Sequence, residues 1–246
     1  MIIIPARLKS TRFPNKILEP IFGIPMLIRV ANIAKSVDEV AIATDDIEVQ
    51  RVCEKYGFRA ILTSSTHESG TDRIAECAKK LKLNTDEIII NVQGDEPFLE
   101  KEVILTLKNL MLERKKRDGK YPFMATCIKE ISAKEAENPN LVKAIFNHNG
   151  DAIYFSRAKI PYDRESVMGQ NKSYYGHLGI YAFSAESLQE FCELPKSSLE
   201  EIEKLEQLRA IENGKKIAVV EVKSESFGID TKEDLALALQ KFKDRI

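Results

Sequence analysis

The sequence predicts an α/β protein: a mixed, mainly parallel sheet with flanking helices, joined to a smaller hairpin-rich lobe. From residue 1 to about 118, short β-branched runs alternate with longer helical stretches, the pattern of parallel strands joined by crossover helices. After Gly119 the rhythm changes to strand pairs, with Asn149-Gly150 between alternating runs as a hairpin signal. A chain of 246 residues, 43% hydrophobic and 30% charged, buries roughly 70–75% of its unfolded surface and needs no disulfide or metal to fold.

The elements follow in order. Met1 to Ile4 is a short apolar run that enters a loop at Pro5 and reads as a buried strand. Met26 to Ser36, Glu48 to Tyr56 and Thr71 to Leu81 are helical. In the second, Val49, Val52, Cys53 and Tyr56 recur at helical spacing and Gly57 caps the end; in the third, Ile74, Ala75, Ala78 and Leu81 form the stripe. Glu39 to Ala43, Ala60 to Leu62 and Glu87 to Val92 are the strands between and after them. Lys101 to Met111 is a further helix, and the basic run Arg114 to Arg117 reads as its solvated end, complementing the helix dipole. Phe123 to Ile128, Leu141 to Phe146, Ala152 to Ser156 and Gly179 to Phe183 are the strands of the hairpin part. A helix from Leu199 to Ile211 starts at a Ser198/Glu201 capping box and buries Leu199, Ile202, Leu205 and Leu208, leaving Glu206 and Gln207 on its polar side. Strand Ile217 to Val222 and helix Thr231 to Phe242 close the chain.

Net charge is −1 and the pI about 6.4, so no global basic field exists to hold nucleic acid or an anionic membrane. Cys53, Cys77, Cys127 and Cys192 are too scattered for a zinc or redox motif and read as reduced fillers in a cytosolic protein. No signal segment or apolar run of membrane-spanning length is visible, so a cytoplasmic protein is expected.

Two segments carry chemistry on residue type alone. Arg7, Arg12 and Lys16 sit in one loop after the first strand, spacing that suits an anion cradle although the glycines of a P-loop or dinucleotide fingerprint are missing. Gln93-Gly94-Asp95-Glu96 follows a buried strand at its carboxyl end, where open α/β sheets bind ligands. There Asp95 can hold Mg²⁺ or simply form the turn. His67 to Arg73 is by itself an ordinary helix entry, capped by Thr71 or Gly70.

These segments, with Asn138-Pro139-Asn140, Tyr154-Phe155-Ser156-Arg157, Gly176-His177-Leu178-Gly179-Ile180-Tyr181, Leu205-Glu206-Gln207-Leu208-Arg209 and Gly228-Ile229-Asp230-Thr231, fall in the order seen in 3-deoxy-manno-octulosonate cytidylyltransferases, and the sequence resembles that family over essentially its whole length. The resemblance implies a nucleotide-diphospho-sugar transferase-like fold in one domain. Its nucleotide-binding part covers about residues 1–119, a dimerisation and sugar-binding lobe about 120–195, and a return to the main sheet 196–246. It implies that CTP activates the eight-carbon acid sugar KDO for lipopolysaccharide synthesis, in a homodimer that needs Mg²⁺.

By the same resemblance, Ala6, Arg7, Arg12, Lys16, Ser69, Gly70, Thr71 and Arg73 meet the nucleotide. Arg7, Arg12, Lys16 and Asp95 serve catalysis, and Asp95 and Asp230 hold the metal. Gln93, Arg157, His177, Tyr181, Glu206 and Gln207 form the sugar face. Without the resemblance, His177 reads as a structural histidine, Tyr181 as a half-buried aromatic, Arg157 as surface, and Asp230 equally as a helix N-cap paired with Glu233. Asn15 departs from the family, which often has glycine there. The competing readings are a cytidylyltransferase for another acid sugar (8-amino-KDO or a sialic-type acid), a hexose-phosphate nucleotidyltransferase, and a non-catalytic CTP sensor. The missing glycine fingerprint after the first strand argues further against a dehydrogenase.

Overall fold

The computed structural model describes residues 1–8, 13–164 and 173–243; Arg12 lies outside the described residues. The elements are β1 (Ile2–Ala6), β2 (Pro20–Ile21), β3 (Ile24–Pro25), α1 (Met26–Lys35), β4 (Val40–Thr44), α2 (Ile47–Lys55), β5 (Arg59–Leu62), α3 (Gly70–Leu81), β6 (Ile88–Asn91) and α4 (Lys101–Asp118). After these come β7 (Met124–Ile131), β8 (Lys143–Phe146), β9 (Ala152–Ser156), β10 (Tyr174–Ser184), α5 (Ala185–Glu193), α6 (Ser198–Glu203), α7 (Leu208–Glu212), β11 (Ile217–Glu221) and α8 (Lys232–Lys241).

The chain forms two compact units. The first comprises Met1–Leu105 and Ser224–Ile246, the second Thr106–Lys223. In the first, four parallel strands run in the order β6-β1-β4-β5, with Ile3 opposite Ala41 and Asn91, and α1, α2 and α3 pack against them. Ile2, Ile3 and Ile4 are wholly buried, as a two-sided parallel strand requires. A separate apolar cluster gathers Phe13, Ile21, Met26, Phe98, Ile229, Ala238 and Phe242, with Phe98 stacked on Phe242 at 4.5 Å. It anchors both the loop that ends at Lys16 and the segment that carries Asp230. Asn15 stands left-handed at φ 58°, a conformation asparagine tolerates better than most residues. The position where the resemblance expects glycine keeps a backbone turn that suits glycine.

In the second unit β7 pairs parallel with β11 and antiparallel with β10, while β8 pairs antiparallel with β10 and β9. The β8–β9 hairpin turns at Gly150, φ 71°. Arg114 clamps that turn: Nη2 donates to the carbonyls of Asn149 (2.6 Å) and Gly150 (2.7 Å), and Nη1 lies 3.0 Å from Asp151. The expectation of a solvated helix end therefore fails for Arg114, which is buried, and α4 runs on to Asp118.

The predicted helix Leu199 to Ile211 is also corrected. It breaks into α6 and α7 at Lys204, where φ is 53°, and its capping box is Ser197 with Glu200. Ile202, expected in the buried stripe, is 78% exposed. Leu205 is buried as expected, and Gln207, expected on the polar side, is buried with it.

Candidate active site

In the first unit the carboxyl ends of the parallel strands collect the predicted residues. Gly94 follows β6 where a Cβ would come 3.2 Å from the Pro5 carbonyl and 3.3 Å from the Leu27 side chain. Glycine eases this close pass against β1, since a Cβ would push its neighbours back by a few tenths of an ångström. Asp95 is thereby set opposite Asp230, and a backbone bond from Ile229 N to the Asp95 carbonyl (2.9 Å) ties the two acid-bearing segments. Lys16 reaches between them: its Nζ donates to Asp95 Oδ2 (2.7 Å), Asp230 Oδ1 (2.8 Å) and the Ile229 carbonyl (3.0 Å). Burial pulls the Lys16 ammonium down, but Asp95 and Asp230 outweigh it and hold its pKa above the ordinary value. Glu96 turns elsewhere and accepts from Ser226.

Asp230 is not the cap of α8. Thr231 caps it, Asp234 completes the box, and the Asp230 backbone N–H also donates to Asp234 Oδ2 (3.0 Å). Its carboxylate is left for Lys16. Two carboxylates that already share one cation offer the hard oxygen ligands that Mg²⁺ takes. Among the described residues no group of three or more His, Cys, Asp or Glu could hold a metal, so phosphate and water would have to complete such a shell.

Ser69, rather than Thr71 or Gly70, caps α3, accepting from Asp72 N at 3.0 Å. Ala6 ends β1, buried, and Arg7 donates to the carbonyls of His67 and Glu68, which lays the exposed arginine along the loop before α3. Gly70 packs its Cα against Pro5, and Thr71 is buried. Arg73 is wholly buried. It donates to Thr63 Oγ1 (2.7 Å) and lies 3.3 Å from Asp45 Oδ2, while its Nε finds no hydrogen-bond partner among the described residues. Burial lowers its pKa, Asp45 opposes this and Arg7 adds to it. Arg73 thus supports the loop from inside the protein. Gln93 is half-buried just past β6.

In the second unit His177, Tyr181 and Gln207 form a connected set, and Arg157 stands in a network of its own with Glu203. His177 lies between Phe155 and Tyr181, with ring centroids at 5.0 and 5.4 Å, and its Nε2 is 2.9 Å from Thr126 Oγ1. Burial drives its pKa down to about 3, so the ring is neutral at pH 7. Tyr181 donates to Gln207 Oε1 at 3.0 Å. Gln207 is buried, against the expectation of a solvent-facing helix residue, because it stands in the break between α6 and α7. Glu206, beside it, is half-buried. Arg157 is not a free surface cation: its guanidinium donates to the carbonyls of Glu203 (2.7 Å), Pro139 (3.2 Å) and Lys204 (3.4 Å). Two residues of this network, Lys143 and Glu203, carry no signal in the sequence. Glu203 accepts from Ser156 Oγ (2.6 Å) and Arg157 N (2.9 Å).

A protein of Wolinella succinogenes named 3-deoxy-manno-octulosonate cytidylyltransferase is 54% identical over 244 residues, covering 99% of this chain and 100% of the relative. The cytidylyltransferase family model matches residues 1–217. The chain belongs to the 3-deoxy-manno-octulosonate cytidylyltransferase family. A cytidylyltransferase of the same name from Helicobacter pylori (strain ATCC 700392 / 26695) is 53% identical over 243 residues, 98% of this chain and 97% of that one. Among solved structures, a CMP:2-keto-3-deoxy-manno-octonic acid synthetase complexed with CTP superposes with a TM-score of 0.90 at 40% identity, covering 100% of this chain and 98% of that one. The nucleotide-diphospho-sugar transferase-like fold expected of the family is the fold found here.

Proposed function

We propose that this cytidylyltransferase activates KDO: the anomeric hydroxyl oxygen attacks the α-phosphorus of CTP, the bond to the β-phosphate oxygen breaks, and CMP-KDO and pyrophosphate leave as the hydroxyl proton is lost. The observation that carries this reading is the convergence of Asp95, Asp230 and Lys16 at the carboxyl end of β6, in a chain so like a synthetase complexed with CTP. Transfer of this kind needs positioning and charge stabilisation rather than a covalent nucleophile.

Asp95 and Asp230 would hold Mg²⁺, which when bound neutralises phosphate charge. Lys16 and Arg7, with Arg12, bring cations to the triphosphate. Ala6 and the residues Ser69 to Thr71, backed by Arg73, border the nucleotide. Arg157 supplies the cation for the sugar carboxylate, and Gln93, His177, Tyr181, Glu206 and Gln207 supply hydrogen-bond partners for its hydroxyls. Neutral His177 serves as a donor or acceptor there rather than as a charge. The enzyme works as a cytoplasmic homodimer and feeds lipopolysaccharide synthesis. Among the described residues no helix is long and apolar enough to cross a membrane.

The test is pyrophosphate release with each of four nucleoside triphosphates against KDO, its 8-amino analogue, a sialic acid and a hexose 1-phosphate. CTP with KDO should dominate. Comparable turnover of UTP with the hexose 1-phosphate would overturn the assignment.

A further inference from the structure

Lys143, at the start of β8, is wholly buried. All three of its ammonium protons are used: Nζ donates to the carbonyls of Asn138 (2.9 Å), Leu141 (2.7 Å) and Arg157 (2.6 Å). An ammonium taken out of water with only neutral acceptors is a costly choice for a strand interior, and an apolar residue would fill the space at less cost. Three converging carbonyls explain the choice locally, because lysine alone brings three donors on one atom.

Their origin gives the choice its meaning. Two of the carbonyls belong to the segment 138–141, and a third carbonyl of that segment, Pro139, accepts from Arg157 Nη1 at 3.2 Å. Lys143 also holds the Arg157 backbone itself, so the guanidinium and the segment it leans on are fixed by one buried group. On the other side, the Val142 carbonyl, one residue before Lys143, accepts from His177 N (2.8 Å), and Lys143 stands opposite Gly176 in the strand register. Charge adds to this. Lys143 and Arg157 are two cations in a network whose contacting carboxylate is Glu203, while the neighbouring Lys159–Glu137 pair (2.7 Å) is balanced within itself. Among the described residues neither the ammonium nor the guanidinium meets a carboxylate directly, which suits a carboxylated ligand.

We propose that Lys143 is a positioning residue for the acid sugar: it fixes Arg157 and the strand register of His177 and adds buried positive charge behind them. This rests on the assignment of Arg157 and His177 to the sugar face. The test is Lys143→Met, assayed for KM of KDO and of CTP separately, with Arg157→Lys in parallel. KM for KDO should rise about tenfold or more while KM for CTP changes less than about twofold, a split that general loosening of the fold would not produce. Equal rises for both substrates, or an unchanged KM for KDO, would overturn it. Should the methionine variant not fold, Lys143→Arg carries the same test: a planar fork cannot meet three carbonyls as one nitrogen does, so KM for KDO alone should rise, and no shift would overturn the proposal. If Arg157→Lys leaves KM for KDO unmoved, the sugar-face assignment falls and this inference with it. If Arg157→Lys raises it and the Lys143 variants do not, this inference alone falls.

Discussion

Asp230→Asn isolates charge from shape at the acid pair. The α8 cap is Thr231 with Asp234, and the Asp230 backbone N–H is held by Asp234 whatever its side chain. The amide oxygen of asparagine can still accept from Lys16, now 2.8 Å from the carboxylate. What is removed is one negative charge from a carboxylate 44% exposed. An ion pair that open to water contributes about 0–1 kcal/mol, and a domain of this size shifts its melting temperature by about 2–4 °C per kcal/mol. Melting at neutral pH should therefore fall by less than about 4 °C. The raised pKa of Lys16 puts its stabilisation below the ordinary lysine value and loses it only as pH rises through the folded pKa, so the neutral-pH comparison is clean.

Activity should behave differently. If the acid serves a divalent cation and the developing phosphate charge, turnover should fall about 10²-fold or more. The assay is pyrophosphate release from CTP and KDO across a Mg²⁺ titration, with melting followed on the same samples. Near-normal turnover at limiting Mg²⁺ would refute the reasoning and leave Asp95 as the only acid of the pair with a part in catalysis.

Three further outcomes are expected. His177, held neutral down to about 3 against an ordinary 6.5, binds fewer protons folded than unfolded in that window, so stability should be lost as pH falls from about 6.5; urea midpoints at pH 7 and 4.5 should differ more for the wild type than for His177→Gln, and equal differences would exclude the burial argument. Arg114→Met leaves the buried Asp151, among the described residues, with only Lys216 as a cationic partner at 3.7 Å, and unfolding free energy should drop by about 3–5 kcal/mol; a loss under about 1 kcal/mol in a denaturant titration would show that the clamp is idle. Light scattering should give twice the 27.9 kDa of the chain, and a monomer at assay concentration would remove the dimer.

Much of this fold is legible because its signals are periodic. The buried isoleucines of β1, the helical stripes of α2 and α3, and the Asn149-Gly150 turn all declare themselves within a few residues of sequence. What fails is local geometry that no side-chain pattern encodes. Lys204 at φ 53° breaks a stretch whose leucines keep helical spacing across the break, and this one dihedral turns Gln207 from solvent to core. A one-residue offset, Thr231 for Asp230, likewise decides whether an acid caps a helix or faces a lysine.

The site divides along the same physical line. Asp95 and Lys16 are readable because a carboxylate at a strand end and a cation in the loop after a strand advertise the charge they will meet, while Asp230 reads equally as a helix cap until the resemblance is added. Lys143, Arg114 and the guanidinium of Arg157 were misread or missed because each spends its donors on backbone carbonyls, which every residue carries and no sequence marks. Lys143 and Arg157 satisfy the local backbone while leaving most of their charge uncancelled, since a carbonyl dipole is a weaker counterweight than a carboxylate, whereas Arg114 also pairs with Asp151. The residues hardest to read therefore bear on electrostatics as well as packing. In the second unit the Lys143 ammonium and the Arg157 guanidinium donate to carbonyls, and the proposed acid sugar would bring the carboxylate that neither meets among the described residues.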